Sequence, residues 1–179
     1  MMKINAALSL GGPALMVRTV EQLTGVRVDH YAVIDFAGFE AIVRALGSIQ
    51  VGVAEPTSSR GVFFHRGANT LGPSAALVYV RQRYGLPNGD LSRIQRQQNL
   101  IRAMLMKIES LGIITNPVAL YHLIKAITGS FSVDNTFTNA EMRSLALRVE
   151  QLGGNQFSFL TAPVSGEGWE DGQSVVFLD

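Results

Sequence analysis

Five polar residues with the chemistry to hold a phosphate lie in two neighbouring segments of the chain. The first segment contains Arg81 and Arg83, and the second contains Asp90, Arg93 and Gln97. Spacings of three and four residues place the second group on one face of a helix, within its first turns. Arginine can grip phosphate with paired hydrogen bonds, and each charge-assisted contact contributes roughly 1.5–3 kcal/mol. The pattern indicates a phosphate or pyrophosphate site, which we call the candidate anion site.

Asp90 stands at the expected start of this helix, directly after the turn-rich segment 85–89. A helix N-terminus presents free backbone N–H groups and a positive dipole end, both of which favour an anion. As a structural residue, Asp90 caps the helix and neutralises nearby arginines. As a functional residue, it binds a divalent metal or positions a hydroxyl nucleophile beside the phosphate. The two roles are compatible, and the sequence leaves both open.

Charge is distributed unevenly along the 179 residues. Positions 57–107 hold eight basic residues and one acidic residue, whereas the remainder holds seven basic and thirteen acidic residues. The net charge of +1 conceals this asymmetry, which points to an anionic partner. A basic face that is merely solvated is the alternative. The eight basic residues are Arg60, Arg66, Arg81, Arg83, Arg93, Arg96, Arg102 and Lys107.

Composition excludes several classes of protein. Apolar residues make up 47% of the chain and charged residues 16%, which is too apolar for a disordered protein. The absence of cysteine excludes disulfides, thiolate catalysis and cysteine-based metal sites. No run reaches the roughly 18 apolar residues of a membrane span. His30, His65 and His122 lack metal-ligand spacing, so we interpret them as structural.

The elements that position the site are predicted to alternate between helices and strands. A helix opens at Gly12-Pro13 and runs to Thr24, a strand covers 28–34, a helix covers 36–46 and a strand covers 49–53. This order favours a sheet covered by helices, the α/β class.

The remainder is mainly helical. Residues 54–71 are predicted to be a long loop with one short strand at 62–64. Helices are predicted over 74–82, over 90–110, from Asn116-Pro117, and after a capping box at 138–141 as far as Gln151. Closing strands are predicted over 157–161 and 174–178.

Several of these motifs together resemble the LytR-CpsA-Psr proteins, in an actinobacterial form. The most specific is the block of arginines, aspartate and glutamine within 76–83 and 89–98. Further likeness lies in Lys3-Ile4-Asn5-Ala6-Ala7, Gly11-Gly12, Asp35-Phe36-Ala37-Gly38-Phe39, Asn116-Pro117, Val133-Asp134 and the stretch 163–179. The resemblance therefore covers nearly the whole chain.

The resemblance implies an α/β/α sandwich of three layers with a central mixed sheet, which holds a polyprenyl phosphate or pyrophosphate with its tail in an apolar tunnel. It implies transfer of a glycopolymer from that lipid to peptidoglycan through a phosphodiester bond, with Mg²⁺ as cofactor. The glycopolymer would be arabinogalactan in mycobacteria-like cells and teichoic acid or capsule elsewhere. The reaction would take place at the membrane surface, on the extracytoplasmic face.

Site residues are carried over by motif position. Arg81 and Arg83 would hold the pyrophosphate, and Lys3, Arg93 and Gln97 would add phosphate contacts. Asp90 and Arg83 would be the catalytic pair.

The chain also departs from the family pattern. Family members begin with a cytoplasmic segment and a transmembrane helix, followed by strands that carry metal-binding acids and an arginine. This chain starts at the Lys3 motif. We therefore expect 1–179 to be a single domain that is incomplete at its N-terminus, with no metal ligands of its own, so that metal-assisted transfer would need the missing groups from elsewhere.

Two alternatives belong to other functional classes. The same arginines would serve a catalytically inactive module that binds the lipid carrier. A basic helix after a turn also imitates a helix-turn-helix that binds nucleic acid. However, a recognition helix keeps an exposed polar face, and this helix becomes apolar between Leu100 and Ile108. We therefore expect no nucleic-acid partner.

Overall fold

Helices and short strands alternate along the chain in a computed structural model that describes residues 3–87, 89–113, 115–127, 131–152 and 159–178. The helices within these ranges are α1 (Ala6–Thr24), α2 (Phe36–Leu46), α3 (Pro73–Arg81), α4 (Gly89–Ser110), α5 (Pro117–Ile127) and α6 (Asn139–Leu152). The strands are β1 (Ala32–Ile34), β2 (Ile49–Val53), β3 (Thr57–Ser59), β4 (Val62–Phe64), β5 (Gly67–Leu71), β6 (Phe131–Val133), β7 (Val164–Glu170) and β8 (Gln173–Leu178). The fold is mixed α/β, as the sequence predicted.

The described strands pair two by two, as β1 with β6, β2 with β5, β3 with β4, and β7 with β8. β2 and β5 are antiparallel, from Ile49 opposite Leu71 to Val53 opposite Gly67. Alternate β2 residues are buried, because successive side chains of a strand point to opposite faces. A three-layer sandwich around one central sheet remains a prediction.

The chain divides into two compact units. The first contains Met1–Val33, Val133–Thr136 and Leu160–Asp179, and the second contains Ile34–Ser132 and Phe137–Phe159. The core of the second unit is built from β2, β4, β5, α2, α3 and α4. Core residues that are 2% exposed or less include Val43, Ile49, Phe64, Tyr79 and Leu100. The assignment of 1–179 to a single domain remains a prediction.

Helix α1 contains a break near its middle. Gly12 has φ +65° and ψ −164°, a region that essentially only glycine adopts. Pro13 follows, and proline fits the first position of a helical segment because its missing N–H has no intrahelical partner there. The predicted helix start at Gly12-Pro13 is therefore confirmed as a restart within a longer helix, which ends before Gly25 at φ +67°.

Several predicted elements are confirmed. The strand over 49–53 and the helix over 36–46 have the predicted bounds. The capping box that starts α6 is also formed: Thr138 N donates to Glu141 Oε2 at 2.8 Å, and Glu141 N donates to Thr138 Oγ1 at 3.2 Å.

Other element predictions were wrong. The strand expected over 28–34 is limited to β1, because side-chain oxygens accept the backbone N–H groups of residues that precede β1. Val28 N donates to Glu21 Oε1 at 2.9 Å, and Tyr31 N donates to Asp134 Oδ2 at 3.1 Å. Residues 159–161 form no strand, while 157 and 158 lie outside the described residues.

The loop predicted over 54–71 contains three strands instead of one. β3 and β4 form a hairpin, and the turn that leads into β5 is built by the buried side chain of Asn69. Asn69 accepts the N–H of His65 at 2.9 Å and donates to the carbonyls of His65 and Gly67. Turn-forming residues marked the region, but the sequence did not show which of them organise strand pairing.

Candidate functional site

The candidate anion site begins where α3 ends. The backbone of Gln82 is extended, with ψ 127°, and its N–H still donates to the carbonyl of Val78 at 3.0 Å. The helix therefore stops at Arg81, and Arg83 follows in irregular chain. Both arginine side chains are exposed, whereas the glutamine between them is buried.

Gln82 fixes this segment through its side chain. Its Nε2 donates to the carbonyl of Ser58 at 3.3 Å and to the carbonyl of Tyr84 at 3.1 Å. Its Oε1 accepts from Arg96 Nη1 at 2.7 Å. The chain between the two exposed arginines is thus tied to β3 and α4 by one buried amide.

Arg96 is part of the framework, not of the exposed basic surface. It is 8% exposed, and its Nη2 donates to Thr57 Oγ1 at 2.7 Å. The guanidinium carbon lies 4.6 Å from the ring centre of Tyr79 and 5.3 Å from that of Phe64, within cation–π range. Burial lowers the pKa of the Arg96 guanidinium. The basic segment 57–107 therefore includes one arginine that is buried, and nothing in the local sequence pattern separates it from the exposed ones.

Arg81 contacts an aromatic ring at the start of α2. Its guanidinium carbon lies 4.1 Å from the ring centre of Phe36. Phe36 occupies the first position of α2, directly after the N-cap Asp35, whose Oδ1 accepts the N–H of Gly38 at 2.7 Å. The sequence did not identify Phe36 as a site residue, although it noted the 35–39 motif.

Gln97 and Arg93 lie on α4, one turn apart. Gln97 is exposed, and its Nε2 donates to the carbonyl of Val80 at 3.3 Å, which brings this face of α4 to the last turn of α3. Arg93 is half-buried. The structure thus brings Gln97 close to the backbone next to Arg81. Their membership of one anion site remains a prediction.

For two predicted site residues, the structure does not define the position of the side chain relative to the other site residues. Asp90 lies in the first turn of α4, but its side chain is outside the described part of the structure. Lys3 is half-buried and belongs to the first compact unit, so its relation to the arginines of the second unit remains a prediction.

The donor chemistry of these residues suits an anion. Arginine and glutamine N–H groups donate hydrogen bonds, whereas Mg²⁺ requires oxygen ligands. Among the described residues, no three or more His, Asp or Glu side chains are grouped to hold a metal ion. These residues alone therefore do not fit the Mg²⁺ that the family resemblance implies.

A cavity of about 470 Å³ lies along a different stripe of α4. Ser92, Gln95, Asn99 and Arg102 line it, together with Glu55 from beyond β2. Asn99 Nδ2 donates to the carbonyl of Gly52 at 2.8 Å, which ties α4 to β2. Val53, Leu86 and Phe159 also line the cavity, so its walls are mixed in polarity. The apolar tunnel that the resemblance implies remains a prediction.

The first unit contains a polar cluster around Asp134. Asp134 accepts hydrogen bonds from Thr136, from the N–H of Tyr31 and from His30, whose Nδ1 lies 3.2 Å from both carboxylate oxygens. The hydroxyl of Thr136, the Tyr31 N–H and His30 hold the pKa of Asp134 well below its usual range. The structural interpretation of His30 fits this contact and remains a prediction. His65 packs edge-on against Phe63, and the side chain of His122 is outside the described residues.

No described helix is both long enough and apolar enough to cross a bilayer. The family model for LytR-CpsA-Psr proteins matches residues 1–179. The chain belongs to the LytR-CpsA-Psr family. This confirms the resemblance that rested on the arginine, aspartate and glutamine block.

Named relatives in the LytR-CpsA-Psr family include cell-wall proteins. The chain is 41% identical over 170 residues to the cell wall biosynthesis protein LcpA of Corynebacterium glutamicum, across 92% of this chain and 32% of LcpA. It is 33% identical over 145 residues to the polyisoprenyl-teichoic acid–peptidoglycan teichoic acid transferase TagU of Enterococcus faecalis, across 81% of this chain and 46% of TagU. The chain thus spans about a third to a half of the length of these two relatives.

Solved structures of the LytR-CpsA-Psr family share the fold. The crystal structure of Bacillus subtilis TagV matches with a TM-score of 0.80 at 23% identity, over 99% of this chain and 67% of that chain. The mixed α/β fold is therefore that of LytR-CpsA-Psr structures.

Proposed function

We propose that this chain forms the phosphate-binding part of a cell-wall glycopolymer transferase that acts on a polyprenyl phosphate- or pyrophosphate-linked substrate. The observation that carries the proposal is the exposure of Arg81 and Arg83 on either side of the buried Gln82. A buried framework that holds two exposed cations supports an anion site, because the backbone that carries the arginines is positioned before the ligand arrives.

The relatives support the substrate class. TagU of Enterococcus faecalis, by its name, transfers teichoic acid from a polyisoprenyl carrier to peptidoglycan. The same class of reaction in this chain would use a lipid-linked glycopolymer as donor and peptidoglycan as acceptor. The similarity to the cell wall biosynthesis protein LcpA of Corynebacterium glutamicum supports a role in building the cell wall. Arabinogalactan as the polymer is part of the proposal and follows from the family resemblance alone.

In the proposed reaction, an acceptor hydroxyl oxygen of peptidoglycan bonds to the phosphorus that carries the glycopolymer. The bond from that phosphorus to the bridging oxygen breaks, and the lipid phosphate leaves with the electron pair. Arg81, Arg83 and Arg93 bind the pyrophosphate oxygens and stabilise the charge that grows on the leaving group. Gln97 donates to the same head group, and Lys3 adds a phosphate contact.

Asp90 and Arg83 form the proposed catalytic pair. The carboxylate of Asp90 orients the acceptor hydroxyl and accepts its proton, and Arg83 stabilises the charge that develops on the phosphoryl oxygens. Mg²⁺ would add charge neutralisation at the pyrophosphate. Because the described residues do not form a ligand set for Mg²⁺, no step here depends on the ion.

The wider setting is part of the same proposal. A three-layer α/β/α sandwich would enclose the lipid tail in an apolar tunnel, where burial stabilises the complex by about 25 cal/mol per Å² of tail surface. The reaction would take place on the extracytoplasmic face of the cell membrane, where the lipid carrier and peptidoglycan meet.

Binding of geranyl pyrophosphate, measured by isothermal titration calorimetry, tests the proposal. We expect saturable binding that Arg83→Ala weakens about tenfold or more, the loss of one charge-assisted contact. Arg66→Ala is the matched control, because Arg66 is an exposed arginine of the same basic segment outside the candidate anion site. Equal affinity of the wild-type chain and Arg83→Ala would contradict the proposed site.

Transfer is tested separately from binding. The chain is incubated with a polyprenyl pyrophosphate-linked glycan, a peptidoglycan acceptor and Mg²⁺, and the product is analysed for a phosphodiester link. If the wild-type chain forms this product and Asp90→Asn does not, the result supports catalysis by this chain. Binding without product would instead favour the inactive lipid-carrier module.

A further inference from the structure

We infer that Phe36 is a positioning residue that holds the guanidinium of Arg81 in the orientation that binds phosphate. This inference rests on the proposed function, because it concerns how one arginine of the proposed phosphate site is presented. The observation behind it is the 4.1 Å separation between the Arg81 guanidinium carbon and the ring centre of Phe36.

The backbone on the Phe36 side is well defined. Asp35 caps α2 by accepting the N–H of Gly38, and the Asp35 carbonyl accepts the N–H of Phe39 at 3.0 Å. Phe36, at the first helical position between them, is 57% exposed. A large aromatic side chain kept at the surface gains little from burial, so its packing alone does not account for its position.

The backbone on the Arg81 side is equally fixed, because the buried Gln82 anchors the end of α3. The Arg81 side chain beyond that backbone is long and has several rotatable bonds. A free arginine loses side-chain entropy when it is ordered by a ligand. The contact with the Phe36 ring restricts these rotations before a ligand arrives.

Stacking and phosphate binding use different parts of the guanidinium. A ring stacked on a guanidinium contacts the flat face of the group, where there are no N–H bonds, and the 4.1 Å separation fits that arrangement. The N–H donors lie in the plane, along the edges that make paired hydrogen bonds with phosphate oxygens. Phe36 can therefore orient Arg81 without occupying its donors.

A ligand-free measurement tests the contact itself. The ring current of Phe36 should shift the Nε–H resonance of Arg81 upfield in the ¹H–¹⁵N spectrum, and Phe36→Leu should remove the shift. Absence of a shift in the wild-type chain would overturn the inference and would leave the proposed function intact.

Calorimetry with geranyl pyrophosphate then tests the consequence. We expect Phe36→Leu to weaken binding about two- to fivefold, as for loss of an exposed cation–π contact, and Phe36→Tyr to restore it. In an Arg81→Ala background, Phe36→Leu should have no additional effect, because the group that it orients is gone. Phe63→Leu is the control, since Phe63 is 55% exposed and contacts a histidine.

The outcomes separate the two proposals. Wild-type binding that Arg81→Ala weakens and Phe36→Leu leaves unchanged would overturn the positioning role alone. If Phe36→Leu weakened binding equally in the wild-type and the Arg81→Ala background, that result would also overturn the positioning role. A wild-type chain that shows the ring-current shift but binds no geranyl pyrophosphate would overturn the proposed function and, with it, the role of Phe36 in binding.

Discussion

The side chains of Gln82 and Arg96 are joined by a hydrogen bond of 2.7 Å, formed between two buried residues 14 positions apart. This bond connects the end of α3 to α4 and so links the two segments that contain the proposed phosphate ligands. The exposed arginines on either side of Gln82 depend on this contact for their backbone positions.

Arg96→Met is expected to destabilise the chain by about 2–3 kcal/mol, because it leaves the buried oxygens of Gln82 and Thr57 short of a charged donor. Urea unfolding followed by circular dichroism measures the change. Arg66→Met, at an exposed position, should change the stability by less than about 0.5 kcal/mol. Equal stability of the two variants would contradict the framework role of Arg96.

Gln97→Ala is expected to weaken the binding of geranyl pyrophosphate while it leaves the folding stability of the chain nearly unchanged. Its hydrogen bond to the Val80 carbonyl is exposed and 3.3 Å long, so its loss should cost no more than about 0.5–1 kcal/mol of folding stability. Binding of geranyl pyrophosphate should fall several-fold if the amide also contacts the head group. Gln95→Ala, on another stripe of the same helix, should leave the affinity unchanged.

Asp134→Asn is expected to make stability less dependent on pH in the acid range. The pKa of Asp134 is depressed in the folded state, so its ionised form stabilises the fold above the unfolded pKa near 3.8, and this contribution is lost as pH falls toward the lower folded value. The gap in urea midpoint between wild type and Asp134→Asn should be full above about pH 5 and should narrow below about pH 4. Asp29→Asn serves as control, because the Asp29 pair with Arg27 is exposed. A gap that widens on acidification would contradict this assignment.

Gly12→Ala is expected to destabilise the first unit by about 1–3 kcal/mol, because alanine adopts the Gly12 backbone conformation only under strain. Thermal unfolding measures the loss. Gly52→Ala is the control, because a side chain there meets nothing within 4 Å and the φ of Gly52 is not positive. A loss no larger than that of the control would show that the α1 break is relaxed in solution.

The sequence predicted those features that depend on local pattern. The alternation of Ile49, Val51 and Val53 sufficed for β2, and the Thr138–Glu141 pair sufficed for the start of α6. The prediction from sequence failed where a distant side chain, and not a neighbouring strand, accepts a backbone N–H. Asp134, more than 100 residues away, takes the N–H of Tyr31 and shortens the predicted strand before β1.

The candidate site shows the same division. Helical spacing placed Arg93 and Gln97 on one face of α4, and the structure confirms the helix. Nothing local distinguished Arg96, which is buried beside Tyr79, from the exposed arginines around it. The pairing of Phe36 with Arg81 depends on the packing of α2 against α3, which spacing along the chain does not reveal.

Helix α4 makes side-chain hydrogen bonds to three other elements within a little more than one turn. Arg96 reaches β3, Gln97 reaches α3 and Asn99 reaches β2. If α4 rotated about its axis or slid along it, all three hydrogen bonds would break together. These bonds therefore restrict both motions of the helix. The amide hydrogens of this turn should therefore exchange slowly, and an anion that binds only the folded chain should slow their exchange further.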